Sequence, residues 1–318
     1  MESSRASVQR RASDRIEAIL VRGAISAVRC LGPAHASNVG GWVARTLGPR
    51  FPVSRVAEQN LRRALPELTA TEHCTIIRAM WDNLGRTTAE LPHLPTLSRT
   101  CEGPGWEIEG EEHIERLKGA NTPVIFFSGH FGNWEMILPI AAGLGLTVSG
   151  FYRAASNVHI DAMIQSLRQR ALGPGVSMFR KGTEGARAAL LHLQRGSSLG
   201  LLVDQKMNDG IAVPFFGRKA MTAPALAQFA LRFGFPIVPV RVVRLGPARL
   251  RMVCEPPLIV APTGCRSADT YAILLAVNAT LERWIRAEPA AWLWLHRRWP
   301  GDCPVNTPSL QPACAAGS

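Results

Sequence analysis

Short apolar runs alternate with amphipathic stretches through the second half of the chain. The runs are typical of strands, predicted at Val124–Phe127, Thr147–Phe151, Val176–Phe179, Leu199–Val203, Ile237–Val243 and Leu250–Cys254. The stretches between and after them predict helices, at Trp134–Gly143, Ile160–Ala171, Glu184–Arg195, Pro224–Arg232 and Thr270–Ala287. Repeated β-α units of this kind predict an α/β/α sandwich around a mainly parallel mixed sheet.

The N-terminal part of the chain has only helical patterns, at Ile16–Leu31, Val53–Leu65 and Thr71–Leu91, before a Pro-, Thr- and Ser-rich connection at Pro92–Gly105. In the first of these helices Arg15, Arg22 and Arg29 recur every seven residues and form a narrow stripe beside a broad apolar surface. A surface helix packed on the core and an interfacial helix at a membrane both fit this pattern. The net charge favours the membrane.

Three regions follow from this reading. Residues 1–50 form a polar tail and an amphipathic, membrane-associating helix, residues 51–299 form the catalytic domain, and residues 300–318 form a flexible, proline-rich tail. Met1 to Arg15 is too polar for a secretory signal, and no run of 18 uncharged apolar residues suggests a transmembrane span.

Composition and charge restrict the class of protein. The 318 residues are 47% hydrophobic and 19% charged, which is typical of a globular protein with a sizeable core. The formal net charge of +12 favours anionic partners such as phosphorylated substrates, acidic proteins, nucleic acid or an anionic lipid surface. The seven cysteines include no CxxC pair, which argues against a zinc site.

His130 and Glu135 are the candidate catalytic residues. On one continuous helix, side chains five residues apart would point roughly 140° away from each other. They can meet if His130 lies in the turn after the strand Val124–Phe127 and Glu135 lies in the first turn of the next helix, for which Asn133 is a candidate N-cap. An imidazole oriented by a carboxylate can act as a general base on a hydroxyl group.

Polar and basic side chains follow the neighbouring predicted strands as well. They are candidates for binding an anionic substrate and comprise Arg153, Arg180, Lys181, Asp204 and Gln205, together with Arg218 at the end of the aromatic loop that begins at Pro214. Because loops at the carboxyl ends of parallel strands converge, these groups predict an anion-binding cleft beside an apolar wall. Such a cleft suits an amphipathic substrate.

The C-terminal run Trp292-Leu293-Trp294-Leu295-His296-Arg297-Arg298-Trp299 contains three of the eight tryptophans. One interpretation is a packed aromatic anchor, since tryptophan buries a large area. The other is a role at a membrane interface or in the substrate cleft, where tryptophan and arginine are both favoured.

The chain resembles the bacterial lipid A biosynthesis acyltransferase family, the lauroyl and myristoyl transferases of the wider glycerolipid acyltransferase superfamily, whose hallmark is H-x4-D/E. The similarity runs from about Asn60 to Trp299. It is carried by an ordered set of segments: Asn83-Leu84-Gly85-Arg86, Ser128 to Glu135, Tyr152-Arg153, Asp204-Gln205, Pro214-Phe215-Phe216-Gly217, Thr222-Ala223-Pro224, Pro239-Val240 and Trp292 to Trp299.

This resemblance implies that a fatty acyl group moves from acyl carrier protein to a hydroxyl of a lipid A precursor, in a secondary acylation. It implies His130 as the general base, Glu135 as its orienting partner and Arg153 in the substrate pocket, with no metal or redox cofactor. The developing oxyanion needs donors, for which backbone N–H groups around Gly132 and the Arg153 side chain are candidates. The expected partners are acidic acyl carrier protein, the lipid A precursor and anionic inner-membrane lipids on the cytoplasmic face.

Other interpretations remain. The acceptor could be another phosphorylated glycolipid or a phospholipid. A hydrolase could use the same pair of residues on water, although the sequence has no GxSxG or HExxH motif. A non-catalytic protein that binds anionic membranes or nucleic acid would explain the charge but not the histidine and glutamate, and no nucleic-acid-binding motif is present.

Overall fold

The computed structural model describes residues 2–299, and the side chains of residues 13–299. The predicted tail at 300–318 lies outside these residues. The helices are α1 Glu2–Cys30, α2 Pro33–Leu47, α3 Ser54–Ala64, α4 Ala70–Glu90, α5 Glu111–Gly119, α6 Ile137–Gly143, α7 Val158–Leu172, α8 Thr183–Gln194, α9 Ala225–Phe233 and α10 Arg266–Ala287. Short 3₁₀ helices precede α3 and α6, follow α4 and follow α10.

Within residues 2–299, nine strands form two sheets. They are β1 Gly105–Glu109, β2 Ile125–Ser128, β3 Val148–Tyr152, β4 Met178–Arg180, β5 Ser198–Leu202, β6 Ile211–Phe215, β7 Arg218–Thr222, β8 Ile237–Gly246 and β9 Arg249–Cys254. The main sheet has seven strands in the order β1-β9-β8-β2-β5-β3-β4, and β6 and β7 form a separate antiparallel hairpin. Only the β8–β9 pair is antiparallel in the main sheet, so the predicted mainly parallel mixed sheet is confirmed.

Successive residues of β2 point to opposite faces of the sheet and into two different cores. Ile125 and Phe127 belong to a cluster with α8, α9 and α10, whereas Phe126 belongs to a cluster with α5 and α6. All three side chains are at most 4% exposed. A strand that is apolar on both faces therefore reflects a sheet covered by helices on both sides, which confirms the sandwich.

The sequence did not predict helices α2 and α5, strand β1 or the β6–β7 hairpin. Helix α2 contains Gly40 and Gly41, which weaken a helical pattern. These glycines allow a close approach instead: a Cβ on Gly40 would lie 2.5 Å from both Ala89 Cβ and Gly85 O of α4. Helix α2 therefore packs directly against α4, and any side chain at Gly40 would force the two helices apart.

Helix α1 is longer than predicted and begins at Glu2. It is held against α7 by the side-chain amide of Asn157, which donates hydrogen bonds to Asp14 O (2.7 Å) and Glu17 Oε2 (2.9 Å). Ile19 and Leu20 stay 69% and 68% exposed on another face. Across the described chain, no helix combines the length and apolar character that crossing a bilayer requires.

Candidate active site

The candidate residues meet at one edge of the main sheet because β4, β3, β5 and β2 are parallel neighbours. Their carboxyl ends lie side by side, with Ser128 of β2 opposite Leu202 of β5 and Tyr152 of β3 opposite Arg180 of β4. His130 follows β2, Asp204 follows β5 and Arg153 follows β3. This is the position at which ligands bind in open α/β sheets.

His130 is held by Asp204 through two hydrogen bonds. The ring Nδ1 lies 2.8 Å from Asp204 Oδ1, and the backbone N–H donates to Asp204 Oδ2 at 2.8 Å. Trp292 Nε1 donates to the same Oδ2 at 2.8 Å. Because the carboxylate accepts the Nδ1 proton, the Nε2 lone pair of His130 is directed away from Asp204 and towards the site.

Asp204 is only 1% exposed. Burial alone would raise the pKa of this carboxyl group, but the charge of His130 and the hydrogen bonds from His130 and Trp292 hold the pKa below its ordinary value. Asp204 is therefore a buried carboxylate that stays ionised. Its oxygens contact His130 and Trp292, and Asp204 does not line the open cavity, so the geometry favours a role in positioning His130 over the expected role in substrate binding.

Glu135 does not orient the ring of His130 in this structure. The expected contact is replaced by a bidentate ion pair with Arg168 of α7, at 2.8 Å (Nε–Oε2) and 2.6 Å (Nη2–Oε1). Burial would lower the pKa of Arg168, but the hydrogen bonds and charge of Glu135 raise it. Because a 3₁₀ turn begins at Trp134, the Glu135 side chain faces α7. The pair lines the same cavity as His130.

Gln205 joins His130 to a second histidine. Its side-chain nitrogen lies 3.3 Å from His130 Nε2 and 3.1 Å from His296 Nε2. An amide has two N–H donors, so it can donate to both rings only when both Nε2 atoms are unprotonated. Burial lowers the pKa of His296, and the positive charges of Lys181 and Arg153 act in the same direction, which favours the neutral ring.

The turn that carries His130 is fixed by the C-terminal segment. The N–H of Gly132 donates to Ala291 O and the N–H of Leu293 donates to His130 O, both at 3.0 Å. Gly132 has φ +51, and a Cβ there would lie 2.0 Å from Val242 O, so only glycine fits. The tryptophans of this segment are at most 5% exposed, which favours the packed-anchor interpretation.

A buried carboxylate supports the turn from behind. Glu90 of α4 is fully buried and accepts hydrogen bonds from Asn133 Nδ2 (2.7 Å), Ser37 Oγ (2.6 Å) and the guanidinium of Arg244. Asn133 lies at the N-cap position of the 3₁₀ turn, but its side chain binds Glu90 and makes no cap hydrogen bond. Asn83 of α4 donates to Gly132 O at 3.0 Å, which explains the asparagine of the Asn83–Arg86 motif.

Three backbone N–H groups of the turn are already used. Those of His130, Phe131 and Gly132 donate to Asp204, Gly129 O and Ala291 O. They are therefore not free to bind an oxyanion. Arg153 lines the cavity, is exposed and forms no ion pair with any described residue, so it remains available as a donor.

A cavity of about 230 Å³ adjoins His130 and is mostly apolar. Its apolar wall comes from both sides of the sheet edge and includes Leu94, Phe126, Leu138, Phe151, Leu172, Met178 and Leu201. Polar groups lie at His130, Arg153 and the Glu135–Arg168 pair. The cavity can therefore hold a hydrocarbon chain with a polar end near the imidazole.

Three of the expected substrate-binding cations lie outside this cavity wall. Arg180 and Lys181 are exposed at the end of β4, where Lys181 lies close enough for its charge to lower the pKa of His296. Arg218 begins β7, and its Nε lies 3.4 Å from Arg63 O. The aromatic wall expected beside it is buried core, because Phe215 and Phe216 pack against Trp299.

Sequence reasoning missed Arg168 and His296 as site residues. Arg168 lies in the middle of a helix, where an arginine has no distinctive signal. His296 was visible in the C-terminal motif, but nothing in the sequence indicates that this segment returns to the end of β2. Among the described residues, no group of three or more His, Cys, Asp or Glu side chains could hold a metal ion.

The fold and site define an α/β protein in which a histidine, held by a buried carboxylate, lies beside an apolar cavity. The family model for the bacterial lipid A biosynthesis acyltransferases matches residues 5–300, and the chain belongs to that family. A search of curated proteins found no match. Among solved structures, the 1-acyl-sn-glycerophosphate (LPA) acyltransferase PlsC from Thermotoga maritima is 14% identical over 79% of this chain and 95% of its own, with a TM-score of 0.37. That likeness is too distant to carry an inference about the site.

Proposed function

We propose that the protein transfers a fatty acyl chain from the thioester of acyl carrier protein to a hydroxyl group of a lipid A precursor, as a secondary acylation. Family membership supports the acyl transfer and the lipid A pathway. The observation that carries the chemistry is His130, held by a buried carboxylate at the mouth of an apolar cavity.

In this mechanism His130 Nε2 removes the proton of the acceptor hydroxyl as the hydroxyl oxygen attacks the thioester carbonyl. Asp204 keeps the proton on Nδ1 and stabilises the imidazolium that forms, a contribution of about 10²–10⁴ in rate. The tetrahedral intermediate then collapses, the carbon–sulfur bond breaks, and the imidazolium returns its proton to the leaving thiolate. No covalent acyl-enzyme forms, and the chemistry uses no metal or redox cofactor.

Gln205 and Arg153 complete this site. In the free enzyme the Gln205 amide occupies the position next to His130 Nε2 that the acceptor hydroxyl must take, so it moves or shares its donors when substrate binds. Arg153 provides positive charge for the developing oxyanion, because the N–H groups of His130, Phe131 and Gly132 are occupied. Arg180 and Lys181 add charge at the same sheet edge for a substrate phosphate.

Glu135 keeps a role in this proposal, but through Arg168. The pair places a polar, neutralised patch on the cavity wall and holds Arg168 in a fixed orientation beside the reacting groups. The protein is proposed to work at the cytoplasmic face of the inner membrane, attached peripherally through its N-terminal helices. Exposed apolar side chains such as Ile19 and Trp42 on α1 and α2 support this attachment.

The lipid A profile of cells tests the function. Mass spectrometry should detect the loss of one secondary acyl chain when the gene is deleted, and its return with the wild-type gene but not with His130→Ala. Asp209→Asn, at an exposed residue with no hydrogen bond to the site, serves as the matched control and should restore the chain. An unchanged profile after deletion would direct attention to another phosphorylated glycolipid or a phospholipid as acceptor.

Purified enzyme separates the remaining alternatives. Carrier-protein thioester should give acylated lipid faster than the coenzyme A thioester does. Release of free fatty acid without acylated lipid would indicate a hydrolase. Binding to anionic membranes without any turnover would indicate a non-catalytic protein.

A further inference from the structure

A second cavity lies outside the active site, in a groove between α1 and α7. It has a volume of about 510 Å³. Arg22 and Arg29 line it from α1, and Arg170 and His159 line it from α7. Its base is apolar and includes Ile25 and Leu167. Four cationic or titratable side chains thus surround one groove, and no carboxylate of the described residues lines it.

The three arginines of this groove are available for an anionic ligand. Arg22, Arg29 and Arg170 are exposed and make no hydrogen bond or ion pair with any described residue. By contrast, Arg168, two residues from Arg170, is paired with Glu135. Unpaired guanidinium groups that converge on a groove provide planar donors for a phosphate.

The groove is separate from the catalytic cavity. Helix α7 lines both cavities, but with different faces. Arg168 faces the active site, whereas Arg170 lies about 200° further round the helix and faces α1. A ligand in the groove would therefore not reach His130 through α7. The groove is not explained by the acyl-transfer chemistry.

The surroundings favour a lipid over a soluble partner. Ile16, Ile19 and Arg22 lie three residues apart and form one continuous row along α1, followed by Ser26 and Arg29. Ile16 and Ile19 are 61% and 69% exposed. An apolar surface that leads directly into a cationic groove matches the order of acyl chains and phosphate in a leaflet.

We propose that this groove binds the phosphate headgroup of an anionic phospholipid and so fixes the enzyme in one orientation on the membrane. The proposal rests on the peripheral attachment proposed above and not on acyl transfer. Arg22, Arg29 and Arg170 contact the phosphate, His159 lies beside them, and the apolar row from Ile16 contacts the acyl region.

The test compares two triple variants of the full-length protein on vesicles of phosphatidylcholine with and without phosphatidylglycerol. The first carries Arg22→Gln, Arg29→Gln and Arg170→Gln. The matched control carries Arg78→Gln, Arg116→Gln and Arg187→Gln, which remove the same charge from exposed arginines on α4, α5 and α8. Thermal melting and acyl transfer to a detergent-dispersed acceptor monitor folding and catalysis in both variants.

We expect the groove variant to lose at least about tenfold in partitioning to the anionic vesicles, since each arginine near an anionic surface contributes about fivefold. The control should lose no more than about twofold, and binding to neutral vesicles should not change. Acyl transfer in detergent should stay at the wild-type rate. Because vesicle binding needs no turnover, the result stands or fails separately from the enzymatic function.

Three results would overturn the proposal. Equal losses in the two variants would show that net charge alone drives binding. Unchanged partitioning of the groove variant would show that the groove does not bind phospholipid headgroups. The third result is a groove variant that binds vesicles normally but no longer binds carrier protein or inorganic phosphate. That result would assign the groove to a soluble ligand.

Discussion

The Nδ1 atom of His130 lies 2.8 Å from Oδ1 of Asp204, although the two residues are 74 positions apart in the chain. Their contact depends on β2 and β5 being adjacent and parallel, so that the residues after each strand meet. Trp292 donates a further hydrogen bond to the same carboxylate. The histidine is therefore oriented by the sheet and by the C-terminal segment, and not by its near neighbour Glu135.

Asp204→Asn tests this relationship. The amide is nearly isosteric but removes the charge that stabilises the imidazolium and allows the wrong tautomer of His130. We expect kcat to fall by about 10²–10⁴ with little change in KM. The control Asp209→Asn removes the same charge from an exposed position nearby and should keep full activity. Wild-type kcat in the folded Asp204→Asn protein would show that Asp204 does not orient the base.

Glu135→Gln tests whether Glu135, like Asp204, orients His130. The substitution leaves the Arg168 guanidinium without its charged partner on the cavity wall, and we expect kcat/KM to fall by about 10- to 100-fold, as for the loss of a charged hydrogen bond. Because the hydrogen bond between His130 and Asp204 stays intact, Glu135→Gln should lower kcat less than Asp204→Asn does. The double variant Arg168→Met with Glu135→Gln should raise the activation free energy by less than the sum of the increases in the two single variants. A loss of kcat in Glu135→Gln as large as that in Asp204→Asn would return the orienting role to Glu135.

The sequence predicted the sheet and the edge where the site lies, because strand-like runs followed by polar residues have a direct physical signature. It could not predict which carboxylate reaches His130. The spacing of His130 and Glu135 permits a contact, but the 3₁₀ turn at Trp134 directs Glu135 towards α7. The order of the strands decides that Asp204 lies beside His130, and strand order depends on long-range packing that no local pattern records.

His296 makes the stability of the protein depend on pH. Burial lowers the pKa of His296 in the folded state, so below the unfolded value of about 6.5 the unfolded chain binds a proton that the folded chain does not. Stability should therefore fall as the pH falls below that value, by at most about 1.4 kcal/mol per pH unit for one group. Denaturant melts at several pH values should show a smaller decline for His296→Gln than for wild type.

A second histidine contributes to the same pH dependence. Burial also lowers the pKa of His192, so His192→Gln should reduce the decline as well. The two substitutions should act additively because His192 packs against Phe179, whereas His296 contacts His130 and Gln205, so the two rings share no contact residue. An equal decline in wild type and His296→Gln would contradict the role given to His296.

Arg298 should be important for stability. Its side chain is fully buried, and its guanidinium donates to Met221 O and Thr222 Oγ1, both at 2.9 Å, which joins the C-terminal segment to the β6–β7 hairpin. Arg298→Leu leaves these buried acceptors without that donor, and we expect a loss of about 2–4 kcal/mol in the free energy of unfolding. Arg297→Leu at the exposed neighbouring position should change it by less than about 0.5 kcal/mol. Comparable losses in both variants would mean that the buried contacts are not responsible.

Gly200→Ala should change the length of the acyl chain that the enzyme prefers. Gly200 of β5 lies opposite Gly150 of β3 in the sheet, and both line the cavity beside His130. A Cβ on Gly200 would lie 3.2 Å from Cδ2 of Leu138, which lines the same cavity, so the added methyl group narrows the cavity at this point.

We expect Gly200→Ala to lower kcat/KM for the preferred donor by about 10- to 200-fold, the usual effect of one methylene in an apolar pocket, while a shorter donor is less affected. A series of carrier-protein thioesters of increasing length measures this shift. The control Gly119→Ala has open space around the new Cβ, away from the cavity, and should leave the preference unchanged. If both variants keep the wild-type preference, the acyl chain does not pass along β5, and the apolar cavity must serve the acceptor lipid instead.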